Sequence, residues 1–166
     1  ELLGKNILPT VKHGGGSVMV WGCISSKGVG NLVFIDGIMN KDSYLQILKD
    51  NLKQSADKMG IRSTFKLYQD NDPKHKAHIV REWLLYNCPK VIDTPAQSPD
   101  MNPIENLWSY LELRIREHPI SSKAELKKVL LEEWTKISPE YLKKCISNMP
   151  NRLKAVIQNK GYPTRY

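Results

Sequence analysis

The sequence predicts a single α/β domain with a mixed sheet flanked by helices. Three observations carry this expectation. Apolar runs of strand length stand in the first part of the chain, stretches of helical period follow and separate them, and no linker or shift in composition divides the chain. The predicted order is hairpin, helix, strand, helix, short strand, then helices, which is a mixed sheet and not a plain strand–helix alternation. At 166 residues the chain is long enough for one sizeable core.

Each element has its own signal. Residues 1–13 are weakly patterned and read as a linker or a torn end. His13-Gly14-Gly15-Gly16-Ser17 is a flexible glycine run. Val18 to Ile24 is a continuous apolar run, Lys27 to Gly30 a tight turn and Asn31 to Asp36 a second strand, which together predict a hairpin. Asn40 is the expected cap of a helix over about 41–58, with Tyr44, Leu45, Leu48, Leu52, Ala56 and Met59 on one face. Phe65 to Gln69 reads as a strand that runs into the turn Asp70-Asn71-Asp72-Pro73.

A helix over about 75–86 turns Ile79, Val80, Trp83 and Leu84 inward. Val91-Ile92 is a short strand, and Thr94 to Asp100 is an irregular loop. Pro103 suits the first position of the next helix, with Asn102 as its cap. Its core face is Ile104, Leu107, Trp108, Leu111 and Ile115. Ser121 or Ser122 caps a further helix that buries Leu126, Val129, Leu130, Trp134 and Ile137. A last helical region starts near Ser138-Pro139, kinks or splits at Pro150 and ends at Gly161.

Apolar residues make up 40% and charged residues 25%, as in ordinary globular domains. No run approaches the roughly 20 apolar residues of a membrane span, and no signal peptide is visible, so no membrane partner is expected. The net charge of +8 favours polyanionic partners. Its Lys and Arg are spread along the chain, which points to a basic face and not a basic arm. Cys23, Cys88 and Cys145 are odd in number and far apart, so reduced, buried thiols of an intracellular protein are expected.

Two carboxylates stand out. Asp70 ends a strand and opens a turn, where it either projects into a crevice at the sheet edge or, with Asp72, simply bonds its own backbone. Glu105 lies in the first turn of a helix, where it is either a partner of the helix dipole or a functional acid. Acids from separate elements suit divalent ions that must be approached from several sides. Mg²⁺ takes only one or two protein carboxylates and leaves room for water and phosphate oxygens, and two such ions clamp an in-line phosphoryl displacement. Lys74 and His75 follow closely, either as phosphate holders or as surface residues at the start of a helix. His75 and His78 are too few for a zinc site.

These residues form motifs. Asp70-Asn71-Asp72-Pro73-Lys74-His75, with thirty-four residues between Asp70 and Glu105, precedes Ser98-Pro99-Asp100-Met101-Asn102-Pro103-Ile104-Glu105-Asn106-Leu107-Trp108. Together they closely resemble the catalytic domain of Tc/mariner superfamily transposases, above all the Tc-type branch that includes Sleeping Beauty. Lys12 to Gly22 and the ending Asn159 to Tyr166 resemble it too, so the resemblance covers about residues 7–166. It implies an RNase H-like fold and a D,D,E triad holding two Mg²⁺ or Mn²⁺ ions, with Asp70 as the second acid and Glu105 as the third. It also implies cut-and-paste DNA transposition: transposon ends are cleaved, and the freed 3′-hydroxyls are joined to target DNA at TA dinucleotides. Lys12, His13, Lys74 and His75 are the candidate DNA contacts. A homodimer and a nuclear location fit the resemblance; a small-molecule cofactor does not.

The chain also departs from the family pattern. The family's first Asp lies on a strand upstream of the glycine-rich segment, where only Glu1 stands here; Asp36 is a distant substitute. The family's N-terminal helix-turn-helix region is missing as well. Residues 1–166 therefore read as a partial catalytic domain that lacks its first, central strand. The alternative function is an inactive remnant or a domesticated DNA-binding module. Unpaired buried amides and carbonyls cost about 1–3 kcal/mol each. An isolated chain is thus expected to be unstable through open edges, unless residues 1–10 or another chain fill the gap.

Overall fold

Leu2–His13 (β1) is a 12-residue strand at the centre of a five-stranded sheet in the computed structural model. The structure describes residues 2–13, 16–92, 102–151 and 154, with side chains from residue 17 onward. β2 (Gly16–Ser25) and β3 (Gly28–Ile35) form the predicted hairpin, β4 (Lys66–Gln69) and β5 (Val91–Ile92) the other half, in the order β3-β2-β1-β4-β5. β1 runs antiparallel to β2 from Gly4 opposite Ile24 to His13 opposite Gly16. On its other side it runs parallel to β4, from Leu2 beside Lys66 to Lys5 beside Gln69.

This corrects the expected vacancy. Residues 2–13 are neither linker nor torn end; they occupy the middle position and give both neighbours a ladder partner. Local pattern hides the strand because Gly4, Asn6 and Pro9 disfavour it, while pairing on both sides overrides that preference. Pro9 falls in the register shift between Leu8 and Val11, where its missing N–H costs the ladder little. With the sheet continuous, residues 1–166 are expected to unfold in one cooperative transition on heating, followed by far-UV circular dichroism. A broad, featureless loss of signal would mean that β1 does not hold its place.

The helices follow the sequence signals closely. α1 (Lys41–Lys58) starts with a capping box: Asn40 Oδ1 accepts from the N–H of Asp42 and Ser43, and Ser43 Oγ accepts from the Asn40 N–H at 2.8 Å. α2 (His78–Asn87) begins three residues later than predicted because residues 73–76 are turn. α3 (Pro103–Arg116), α4 (Lys123–Thr135) and α5 (Pro139–Ser147) are capped by Asn102, Ser122 and Ser138. α5 ends at Ser147, a turn follows at Asn148 and helical backbone resumes over 149–151, so the region splits beside Pro150 as expected. The predicted loop at Thr94 to Asp100 and the end at Gly161 lie outside the described residues.

Helices cover both faces of the sheet, which is why β2 reads as an unbroken apolar run. Val18, Val20 and Ile24 of β2 face the α3–α4 layer, with Leu107, Leu111 and Leu130. Trp21 and Cys23 face α1 and α2, with Leu48, Leu52 and Leu84. The first layer closes around Trp134, which stacks on Trp108 at 5.5 Å and donates its indole N–H to the Gly30 carbonyl at 2.9 Å. A side chain at Gly22 would come within 2.8 Å of the Trp134 ring, so glycine is required there by close approach.

One acid is buried between α3 and α4. The Glu133 side chain is 3% exposed and meets Lys136 Nζ at 2.7 Å and Arg114 Nε at 3.2 Å. The Lys136 hydrogen bond holds its carboxyl below the ordinary value of 4.5; burial opposes this, and Arg114 adds to the lowering. A depressed native value means stability that is present above pH 4.5 and lost as pH falls through the native value. Glu133→Gln should therefore flatten the acid limb of a stability–pH profile. At neutral pH it should cost only about 1 kcal/mol, since both cations remain largely solvated. Denaturant titrations from pH 3 to 7 measure both effects, and an unchanged acid limb would contradict them.

Candidate active site

Asp70 is the first residue beyond β4, and its side chain is 39% exposed. The turn that follows is tied by its own acids. Asp70 Oδ1 accepts from the Asp72 N–H at 3.3 Å. Asp72 Oδ1 accepts from the Lys74 N–H, and its Oδ2 from Lys74 Nζ, both at 2.8 Å. Burial pushes the Asp72 carboxyl up, but these Lys74 bonds and the charges of His75 and Lys74 outweigh it, and the group lies below its usual range. Asp72 is therefore the turn former. Asp70 keeps an open side towards solvent.

Behind Asp70 lies a buried polar set. His75 is 1% exposed, and its Nδ1 lies against Asp70 Oδ1 without making a directed hydrogen bond. Its ring stacks on Tyr44 at 4.1 Å. The Tyr44 hydroxyl donates to Gln69 Oε1 at 2.9 Å, and Gln69 Nε2 donates to the His75 carbonyl at 3.4 Å. Burial, then the charges of Asp70 and Asp72, push the Tyr44 phenol well above its ordinary value, so it stays a donor.

This arrangement revises one expected DNA contact: the His75 ring supports Asp70 from behind instead of facing solvent. Lys74 is partly exposed, with its ammonium paired to Asp72. Lys12 and His13 end β1 opposite Ser17 and Gly16, and their side chains lie outside the described residues. Sequence reading missed Tyr44 and Gln69 as parts of the site. Both look like ordinary core positions, and only the stacking on His75 reveals their part.

Glu105 is the third residue of α3. Asn102 accepts from the Ile104 N–H at 3.3 Å, and Pro103 at the first position needs no N–H partner. Ile104 and Leu107 bury the neighbouring face, so Glu105 is half-buried beside the apolar stripe. α3 packs against β1, the strand next to β4. Both acids thus border the central strand: Asp70 at the tip of β4, Glu105 at the start of the helix over β1. The motif residues Ser98 to Met101 lie outside the described residues.

No third acid joins them from β1, which contains neither Asp nor Glu. The register that sets Lys5 beside Gln69 brings Asn6 level with Asp70. Asp36 follows β3 at the opposite edge of the sheet, where its carboxylate meets Lys127 Nζ at 3.2 Å and Lys123 Nζ at 3.8 Å. It anchors α4 and does not substitute for a site acid. Among the described residues no three metal-ligating side chains cluster. Two carboxylates suit one hard divalent ion completed by water and phosphate oxygens, and a two-ion site needs a further ligand beyond those the described residues bring together.

A cleft of about 450 Å³ opens beside Asp70, between the β4 turn, α2 and the approach to β5. Lys76, Arg81 and Lys90 stand along it.

Comparisons with known proteins agree with this picture. The profile of the DDE superfamily endonuclease family matches residues 4–127. The chain is 40% identical over 159 residues to the transposable element Tcb2 transposase of Caenorhabditis briggsae, covering 96% of this chain and 58% of that protein. It is 42% identical over 158 residues to the transposable element Tc1 transposase of Caenorhabditis elegans, covering 95% and 58%. The chain thus spans less than two thirds of these curated relatives. Among solved structures, the catalytic domain of Mos1 mariner transposase superposes with a TM-score of 0.87 at 20% identity, over 99% of this chain and 84% of that one. The same catalytic domain has been solved with raltegravir and Mn, and with raltegravir and Mg. The fold is RNase H-like, and the chain belongs to the DDE superfamily endonuclease family.

Proposed function

We propose that this chain is the catalytic region of a cut-and-paste DNA transposase. It cleaves DNA at transposon ends and joins the freed 3′-hydroxyls to target DNA at TA dinucleotides. The observation that carries the reading is the pair of motif-matched carboxylates on either side of one central strand, Asp70 at the tip of β4 and Glu105 on the helix packed over β1.

Asp70 and Glu105 are the residues that would hold Mg²⁺ or Mn²⁺, with two ions in the complete site. Bound there, such ions polarise phosphoryl oxygens and lower the pKa of water. The chain's own residues do the positioning. His75 and Tyr44 back Asp70, Asn102 and Pro103 fix the end of α3 that carries Glu105, and the net charge of +8 attracts DNA. A complete site needs a third carboxylate beyond the two that the described residues supply. A protein without one would be a DNA-binding remnant.

Solved Mos1 assemblies include a strand transfer complex and a paired-end complex with the left transposon end. They support DNA as partner and a homodimer as the assembly that handles two ends. A nuclear location follows from the substrate. The test is Mg²⁺-dependent cleavage of a transposon-end duplex by the full-length protein. Cuts at the element boundary, absent with a chelator, are expected. Salt-sensitive DNA binding with no cleavage would establish the remnant instead.

A further inference from the structure

The cleft beside Asp70 has a composition that the two acids do not explain. Lys76, Arg81 and Lys90 line it, all exposed, and none forms an ion pair with another described residue. This contrasts with Lys74, Lys127 and Lys136, whose ammonium groups are held by carboxylates. Three cations along one groove, with no ion-pair partner among the described residues, can take an anion that comes from outside. Leu84, Pro89 and Ile92 add apolar surface to its lining. Its volume is that of a site for a small organic group. A duplex lying flat would not enter it. A positively charged groove that tracks the backbone is one way proteins hold single nucleic-acid strands, and here phosphates would meet the cations while sugar and base lie over the apolar residues.

Among the described residues that line the groove, Asp70 is the one carboxylate. We infer that this cleft holds a single-stranded segment of the DNA next to the cleaved phosphate, with Lys76, Arg81 and Lys90 as its phosphate contacts. The inference rests on the proposed function for the position of the cleaved bond. It adds a strand path and three named contacts that neither Asp70 nor Glu105 provides. Cys88 lines the same groove, half-buried, with its thiol donating to the Lys90 carbonyl at 3.2 Å. It is a native reporter within reach of a bound strand.

The test uses the full-length protein and a transposon-end duplex with a short 3′ single-stranded extension, against the same duplex with blunt ends. Binding is followed by fluorescence anisotropy across a salt series. The extended substrate should bind tighter, and the double variant Arg81→Ala/Lys90→Ala should erase that preference. The log–log salt slope for the extended substrate should fall by about 1.4, at roughly 0.7 per single-strand phosphate contact. Lys128→Ala, an exposed cation on α4, should change neither quantity. A preference that survives the double variant, or an equal loss with Lys128→Ala, overturns the inference.

A second measurement does not depend on variants folding. An oligonucleotide carrying an activated disulfide on its extension should cross-link to Cys88, and peptide mapping identifies the site. An adduct at Cys145, or none, counts against the cleft. Failure here is separable from failure of the proposed function. Wild-type cleavage with an unaffected double variant removes only the cleft. Absent cleavage with a Cys88 adduct leaves the cleft standing as the DNA site of a remnant.

Discussion

Asp70→Asn in the full-length protein is expected to lower metal-dependent cleavage of a transposon-end duplex by about 10³-fold or more, with almost no change in melting temperature. The magnitude follows from removing one charged group aimed at the reacting phosphate in a preorganised site. The neutral isostere keeps its acceptor for the Asp72 N–H, and the position is partly open to solvent, so the fold loses little. Glu105→Gln should behave in the same way, because Asn102 and Pro103 hold the start of α3 without it. The double variant should be hardly worse than either single one, as expected for groups that act as a unit. Cleavage within tenfold of wild type in either single variant would mean that the acids are turn and helix-end residues and no more.

Trp134→Ala should have the largest effect on stability. The side chain is 1% exposed, and deleting a buried Trp costs about 3–5 kcal/mol. The indole N–H bond to Gly30 goes with it, and the buried carbonyl loses its partner. Trp108 loses its stacking surface, and Gly22 its close neighbour. Against a total of about 5–15 kcal/mol, such a loss leaves a marginal domain. Urea titration followed by circular dichroism measures it. Trp134→Phe should recover part of the difference through the ring alone. A midpoint shift for Trp134→Ala no larger than that for a surface substitution would contradict the packing of α4 on the hairpin.

The helices were legible because their ends are written locally. Asn40, Asn102 and Ser138 each cap where their chemistry says they should, and the apolar faces of α1, α3 and α4 are the buried ones. The hairpin was legible because a glycine turn separates two apolar runs. β1 was not, since a central strand draws its order from partners distant in sequence and carries no alternation of its own. At the candidate site, the placement of Asp70 at a strand end and of Glu105 in the first turn of a helix was legible from residue type and local pattern. The burial of His75 was not. A polar residue at the start of a helix reads as surface, and only the packing of α1 against β4 puts Tyr44 over its ring. The basic cleft was equally hidden, because Lys76, Arg81 and Lys90 lie on three different segments that only the fold brings together.

The proposed function requires Asp70 and Glu105 to serve the same divalent-ion site, and paramagnetic broadening by Mn²⁺ in ¹⁵N-correlated spectra of residues 1–166 measures this. Substoichiometric Mn²⁺ should erase the amide signals of residues 69–72 and 104–106 together, and Asp70→Asn should restore both sets at the same ion concentration. Broadening confined to one of the two segments, or centred on Asp36 or Glu133, would contradict the shared site.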